Sequence, residues 1–234
     1  MDEPTTAGPY AGTSACYMRY RPAYPTRLIE DLVRRTGADG RGRLLDVACG
    51  PGRLTFALAP FFREVWAVDT EPEMIAVARA EAAHRGLRHI RWITHRAEEL
   101  AAPPGSFDLV SFGEAFHRVN QPVVVELIRR WLRPGGAVAI VGCSYGVLSG
   151  EGTWQAAVAG VVRRWSQRQP PAPRDADPKP AGMGLRVLGG AGFLEVASHP
   201  FVQRVNWTIE PIKGFLASTS NCSERALRGS AAEF

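Results

Sequence analysis

A chain of 234 residues is long enough for one α/β domain with a sizeable core and a modest addition, and a second domain is not required. The formal charge of +5 is carried almost wholly by arginine, since Lys179 and Lys213 are the only lysines. The arginines are scattered through every segment, which argues against a nucleic-acid footprint and fits the coding bias of a G+C-rich genome. Cys16, Cys49, Cys143 and Cys222 are far apart, with no C-x-x-C pair, no signal-like start and no run of about 18 apolar residues, so a disulfide framework, a metal site and a membrane helix are not expected, and a soluble cytoplasmic protein is.

Residues 1–15 are small, polar and punctuated by glycine and proline, which predicts a mobile leader with order beginning near Cys16. Tyr17, Tyr20, Arg21 and Tyr24 then cluster around Arg21-Pro22-Ala23-Tyr24-Pro25, ahead of an amphipathic helix with Leu28, Ile29, Leu32 and Val33 on one face.

Residues 44–60, LLDVACGPGRLTFALAP, organise the rest. Leu44-Leu45-Asp46-Val47 reads as a buried strand, and Leu54, Ala57, Leu58 and Phe61 follow at helical spacing. Between them Gly50 and Gly52 let the backbone turn sharply and let a ligand approach the main chain. A dinucleotide fingerprint would carry a third glycine and free amides for a pyrophosphate; here Thr55 stands at the third position and Pro51 removes a donor. Asp46 adds negative charge beside the turn, which suits a ligand bearing an ammonium and a sulfonium, as S-adenosylmethionine does. A second apolar strand, residues 64–69, ends in Asp69 about 20 residues beyond the turn, where a carboxylate is expected to accept from ribose hydroxyls.

D-x-x-C-G-x-G-R followed by a strand ending in Asp69 resembles the class I S-adenosylmethionine-dependent methyltransferases of the small-molecule type. The resemblance continues through His95-Arg96-Ala97-Glu98-Glu99-Leu100, Phe107-Asp108-Leu109-Val110-Ser111 and Leu132-Arg133-Pro134-Gly135-Gly136, covering residues 40–145. It implies a Rossmann-like, doubly wound, mostly parallel sheet with helices on both faces, an N-terminal helical lid and a helix and loop inserted after the fifth strand. The cofactor is then S-adenosyl-L-methionine and the product S-adenosyl-L-homocysteine, with contacts at Asp46, Ala48, Gly50, Gly52, Asp69, Thr70 and Gly113. Tyr17 and Arg21 would meet the methionine carboxylate, or else pack the first helices onto the sheet. Met74 would lie against the adenine or simply in the core. Ala97 would offer its amide, and Glu98 its carboxylate, to the adenine; many relatives carry an acid where Arg96 stands, and a solvated acidic helix start is the other reading of Glu98.

Thr70-Glu71-Pro72-Glu73 has the form of a capping box ahead of a helix that ends by Gly86. Residues 90–93 form a third strand and the fourth ends at Gly113. The loop after it, residues 114–120, lies where α/β sheets bind ligands. It has no Pro-Pro-aromatic signature of base-amine methylation, and Cys143 lacks the setting of a cytosine nucleophile. His117 is the candidate general base, or a residue that shapes the methionine side of the pocket. Substrate contacts are expected from Tyr20, Tyr24, Phe116, Tyr145 and Trp154, the last with a core-packing alternative.

Residues 122–132 read as a helix, 137–141 as a fifth strand and 153–168 as a helix walling the acceptor pocket. The proline-rich stretch 169–184 is an expected lid. A short helix at 185–188, a sixth strand over 194–207 bent at Pro200, and a helix over 209–219 follow. Residues 220–234 show no seventh-strand pattern, so either the seventh strand is missing and the sheet edge needs a cap from a loop or from another chain, as in a homodimer, or the chain is truncated relative to its family. The expected divisions are thus a leader at 1–15, a core with lid at 16–145, a substrate-side insertion at 146–184 and the rest of the core sheet at 185–234. The function expected is methyl transfer to oxygen or nitrogen of a small-molecule acceptor in secondary metabolism. Alternatives are a fold relative that binds the ligand without methyl transfer and, third, a nucleic-acid methyltransferase.

Overall fold

The computed structural model describes residues 10–166, 183–193, 196–224 and 226–227. They fall into two compact units, the larger built from 23–142 with 178–204 and the smaller from 1–22, 143–177 and 205–234.

The larger unit is a parallel sheet of β1 (Arg43–Val47), β2 (Glu64–Asp69), β3 (Ile90–Thr94), β4 (Phe107–Gly113) and β5 (Leu132–Val141), in the order β3-β2-β1-β4-β5. The first two crossovers run through α3 (Arg53–Leu58) and α4 (Pro72–His84) to one side of β1, and the chain then returns to the other side to place β4. That reversal between β1 and β4 opens a crevice at the carboxyl ends of the strands, the place where open α/β sheets hold ligands.

The alternation of each strand divides the two faces. Leu45, Val47, Val110 and Phe112 join Ile128 and Trp131 in one core cluster beneath α5 (Gln121–Trp131). Leu45, Val47, Phe112, Ile128 and Trp131 are at most 2% exposed, and each such side chain contributes about 1.5–3 kcal/mol of burial. Asp46, between Leu45 and Val47, is turned instead toward α3, where it accepts from Thr55. The amphipathic helix predicted near Leu28 is α2 (Thr26–Thr36), which buries Leu28 and Ile29 and stops at Gly37 in a left-handed conformation, φ 63°. α7 (Met183–Gly189) contributes Leu188 to the same core.

Several expectations need correction. No capping box forms at α4: Glu71 is the N-cap without a side-chain cap, and the Glu71 amide donates to Asp69 at 2.9 Å. The Asp69 carboxylate at the end of β2 takes that amide. β5 begins at Leu132 rather than at 137, because Phe107 pairs with Leu132 before a register shift over Gly135 and Gly136 restores pairing at Leu109 and Ala137. Residues 196–207 form no strand; Pro200 lacks an amide and Val202 is fully exposed, so no alternating face is buried there. The lid expected over 169–184 lies outside the described residues up to 182. Among the described residues no helix is long and apolar enough to cross a membrane.

In the smaller unit, α1 (Ser14–Tyr20) starts within the stretch read as leader, Tyr10 meeting Tyr17 edge-on at 6.3 Å. With α6 (Thr153–Ser166) and α8 (Ile209–Ala217), it surrounds a second core of Val147, Phe215, Leu216 and Cys222. Gly214 of α8 has no Cβ, and the Tyr20 ring lies flat against that bare backbone, 2.1 Å from where a Cβ would be. The Tyr20 hydroxyl donates to Glu210 at 2.8 Å.

Candidate functional site

The carboxyl end of β1 leads into a turn whose backbone is unusual residue by residue. Ala48, Gly50 and Gly52 all have positive φ, at 51°, 55° and 86°. For Ala48 that left-handed conformation costs roughly 1–2 kcal/mol, and Glu114, at the end of neighbouring β4, shares it with φ 58°. Non-glycine residues are held in this region where surrounding structure over-determines them, commonly at ligand sites. The Cys49 amide donates to Val68 at 3.0 Å and the Glu114 amide to Val141 at 2.7 Å, so each turn is fixed to the neighbouring strand. The Cys49 thiol is pushed well up by burial and by the charges of Asp69 and Asp46.

The two glycines do different work. A Cβ on Gly50 would meet nothing within 4 Å, so the turn presents bare backbone to open space there. A Cβ on Gly52 would stand 2.8 Å from Trp92 and 2.9 Å from Phe56, whose rings meet at 5.7 Å. Gly52 therefore lets the start of α3 close onto β3, while Gly50 leaves the main chain approachable.

Two acids flank the turn. Asp46 is 0% exposed, accepting from Ser111 Oγ at 2.7 Å and from Thr55 Oγ1 at 2.5 Å. Burial pushes its carboxyl up to about 6; the hydroxyl bonds oppose the rise and the Asp69 charge adds to it. Asp69, at the tip of β2, takes the Gly50 amide at 2.7 Å and the Glu71 amide at 2.9 Å on separate oxygens. Its carboxyl is also raised by burial, against the amides of Glu71, Gly50 and Thr70 and the charge of Arg118. A carboxylate has about four acceptor positions, so capacity remains for hydroxyl donors after these amides.

The other expected contacts in this unit are distributed as follows. Met74 is 3% exposed on α4 and Ala97 is buried in a short 3-10 turn, Ala97–Glu99. Glu98 spends its carboxylate locally, accepting the Asn120 amide at 2.8 Å and pairing with Arg96 at 3.6 Å. At Gly113 a Cβ would lie 2.6 Å from the Tyr24 hydroxyl, so the absent side chain seats Tyr24 at the end of β4. His117 is exposed on the 3-10 turn Phe116–Arg118. Phe116, expected to touch substrate, is instead 4% exposed in the core and edge-on to Phe112 at 5.1 Å, because this turn folds its only large apolar residue inward.

Tyr17, Tyr20, Arg21, Tyr145 and Trp154 belong to the smaller unit. There the Arg21 guanidinium lies 4.6 Å from the Tyr17 ring centre and 4.8 Å from that of Phe215, and its Nε donates to Ser218 Oγ at 2.9 Å. Tyr145 meets Phe215 edge-on at 5.1 Å, and Trp154 is 39% exposed on α6. Thr55, Ser111 and Trp92 were missed in the sequence. Their signal is the register, Asp46 opposite Ser111 and Ala67 opposite Trp92, which exists only once the strands are paired.

The family profile described as a methyltransferase domain matches residues 44–136, which span the turn, both acids and β4. Residues 44–136 are thus a methyltransferase domain of the class I S-adenosylmethionine-dependent type. Over 128 residues it is 34% identical to CRG1 of Saccharomyces cerevisiae, classed as such a methyltransferase, covering 54% of this chain and 44% of that protein. Over 137 residues it is 34% identical to a ubiquinone biosynthesis O-methyltransferase of Xanthomonas campestris, covering 52% of this chain and 56% of the relative. The chain thus spans about half the length of the curated relatives it matches.

Solved structures share the fold of this chain. One from Methanococcus maripaludis, described as an S-adenosylmethionine-dependent methyltransferase, superposes with TM-score 0.57 at 20% identity over 82% of this chain and 88% of that one. Another from Aquifex aeolicus gives 0.52 at 20% identity over 77% and 87%. The family's cofactor, S-adenosylmethionine, fits the residues present. Open backbone at Gly50, Asp69 with acceptor capacity left, and the buried negative charge of Asp46 beneath the turn suit a ligand with ribose hydroxyls and cationic character.

Proposed function

We propose that this chain transfers the methyl group of S-adenosylmethionine to an oxygen or nitrogen of a small molecule, in secondary metabolism and in the cytoplasm. The observation that carries the reading is the pair of acids around an open glycine turn, Asp46 wholly buried below it and Asp69 bonded to the Gly50 amide at 2.7 Å. The identity to ubiquinone biosynthesis O-methyltransferases supports an oxygen acceptor in particular.

In this reading Asp69 holds the ribose hydroxyls, Gly50 admits the ligand to the backbone, and Ala97 borders the adenine. When bound, S-adenosylmethionine supplies an electrophilic methyl on a sulfonium that departs as a neutral thioether. His117 or water would take the proton that the acceptor gives up. Arrangement of acceptor, methyl and sulfur in line provides much of the acceleration, up to about 7–11 kcal/mol in favourable systems. Asp46 and Asp69 keep negative charge near the sulfonium, which favours binding of the charged cofactor over its neutral product.

The test is conversion of S-adenosylmethionine to S-adenosylhomocysteine with a panel of phenols, carboxylates and amines. Acceptor-dependent turnover supports transfer. Tight binding of both S-adenosyl ligands with no turnover across the panel would favour a ligand-binding relative that no longer transfers methyl.

A further inference from the structure

Glu98 is a glutamate with a side chain only 17% exposed, at a turn where a solvated acid would be ordinary. Its Oε1 accepts the backbone amide of Asn120, 22 residues further on, at 2.8 Å. Asn120 is the N-cap of α5 and has no side-chain cap of its own. The bond therefore joins the turn after β3, which carries Ala97, to the end of the loop after β4, which carries His117. A carboxylate there also sits at the positive end of the α5 dipole, adding favourable electrostatics at the first turn.

The same loop is fixed at its other end by the Glu114 amide on Val141 and in its middle by Gln121 Nε2 on the Phe116 carbonyl at 3.1 Å. Of these ties, only the one from Glu98 originates on the adenine side of the cradle. An adenine amino group would have to compete with the Asn120 amide for Glu98 Oε1.

We propose that Glu98 is a positioning residue that latches the His117 loop to the adenine-side turn, so that filling the adenine side and ordering the acceptor-side loop are one event. The proposal rests on the cradle reading above for its ligand, whereas the latch is the observed Glu98–Asn120 bond. Glu98 then touches neither the reacting atoms nor the adenine amino group. It passes the state of one loop to the other through a single charge-assisted hydrogen bond.

The experiment is amide hydrogen exchange of the intact chain over residues 119–125, for wild type, Glu98→Ala and Glu98→Gln, with and without S-adenosylhomocysteine. Loss of a bond to a charged acceptor should speed exchange at Asn120 by at least about tenfold in Glu98→Ala, and Glu98→Gln, which keeps an oxygen acceptor, should restore most of the protection. S-adenosylhomocysteine should slow exchange across the loop in wild type and not in Glu98→Ala. A parallel titration compares S-adenosylhomocysteine with S-inosylhomocysteine, which has an oxo group in place of the adenine amino group. The latch predicts the same preference between these two ligands in wild type and in Glu98→Ala; disappearance of the preference in the variant would assign Glu98 to the adenine and overturn the proposal. Wild-type binding with Asn120 exchange indifferent to Glu98→Ala overturns the latch and leaves the cradle standing. Failure of the wild type to bind S-adenosylhomocysteine overturns the coupling together with the cradle.

Discussion

Ser111 donates its hydroxyl to Asp46 at 2.7 Å across the boundary between β4 and β1, the two strands at which the sheet reverses its order. The bond fixes a carboxylate with no exposure to water directly under the ligand turn. With the Thr55 bond it accounts for why an acid survives among the buried residues Leu44, Leu45 and Val47: its charge is tolerated by two hydroxyls and is available to a cationic ligand through a medium that screens poorly.

The first prediction concerns pH. An aspartate has a pKa near 3.9 in the unfolded chain, and burial raises that of Asp46 to about 6. Between those values the folded state binds more protons than the unfolded one, so this group's contribution to stability falls as pH rises through the window and is level above it. Comparison of urea unfolding for wild type and Asp46→Asn at pH 4.5, 5.5 and 7 should show the variant gaining on wild type, by on the order of 2 kcal/mol across the range. A constant difference would mean that Asp46 is already ionised at pH 4.5. In the same variant S-adenosylmethionine should lose more affinity than S-adenosylhomocysteine, since only the former carries the sulfonium charge.

Gly50 and Gly52 should respond in opposite ways to alanine. Both require a left-handed backbone, at a strain of roughly 1–2 kcal/mol for a residue with a Cβ. Gly52→Ala adds a collision with Trp92 and Phe56 and should cost a further 1–3 kcal/mol or so of stability by overpacking. Gly50→Ala meets no protein atom and should lose only the backbone strain in stability, yet bind S-adenosylhomocysteine at least about tenfold more weakly, because the new methyl occupies ligand space. Melting curves and calorimetry on the two variants separate the effects, and equal binding losses would show that the turn is read as a whole.

Where order in the chain was local, it was legible. The strand, glycine turn and helix around Asp46, the strand ending in Asp69 and the amphipathic α2 each follow from apolar spacing and one or two special residues, and the structure forms them within a residue or two of the expected ends. What was not legible depends on partners far along the chain. The Ser111 and Thr55 hydroxyls mean nothing until Asp46 is placed opposite them; Glu98 read as an adenine contact or a solvated helix start, and its bond to the Asn120 amide, 22 residues on, has no local signal. The strand expected over 194–207 shows the converse: a tolerable β composition does not make a strand when no face is buried.

Asp69 carries two loads, and its variants should divide them. It anchors the Gly50 and Glu71 amides, and a backbone donor left without a buried acceptor costs about 1–3 kcal/mol. A ligand present at a hundredfold excess over its dissociation constant adds about 2.7 kcal/mol, or roughly 5–10 °C of melting temperature for a chain of this size. Wild type should show that shift with S-adenosylhomocysteine and none with NAD. Asp69→Ala should melt lower without ligand and lose the shift; Asp69→Asn, with one acceptor oxygen left, should recover part of the stability and little of the shift. An undiminished shift in Asp69→Ala would remove Asp69 from the ribose site.

Arg21 offers the clearest contrast between a binding role and a structural one. Its guanidinium is stacked among Tyr17, Tyr145 and Phe215 and bonded to Ser218 Oγ and, at 3.4 Å, to the Ser218 carbonyl, so it ties the end of α1 to the end of α8. Partly desolvated cation–π contacts contribute about 0.5–1 kcal/mol each, and the charged hydrogen bond a further 1.5–3 kcal/mol or so. Arg21→Ala should therefore lower the melting temperature by at least about 6 °C. Arg21→Lys should recover only part of this, because an ammonium cannot lie flat on a ring and bond Ser218 at once. If the clamp is its whole function, the additional shift produced by S-adenosylhomocysteine will be the same in Arg21→Ala as in wild type. A reduced shift in Arg21→Ala, with the ligand-free melting point already accounted for, would instead place this guanidinium on the methionine carboxylate of the bound ligand.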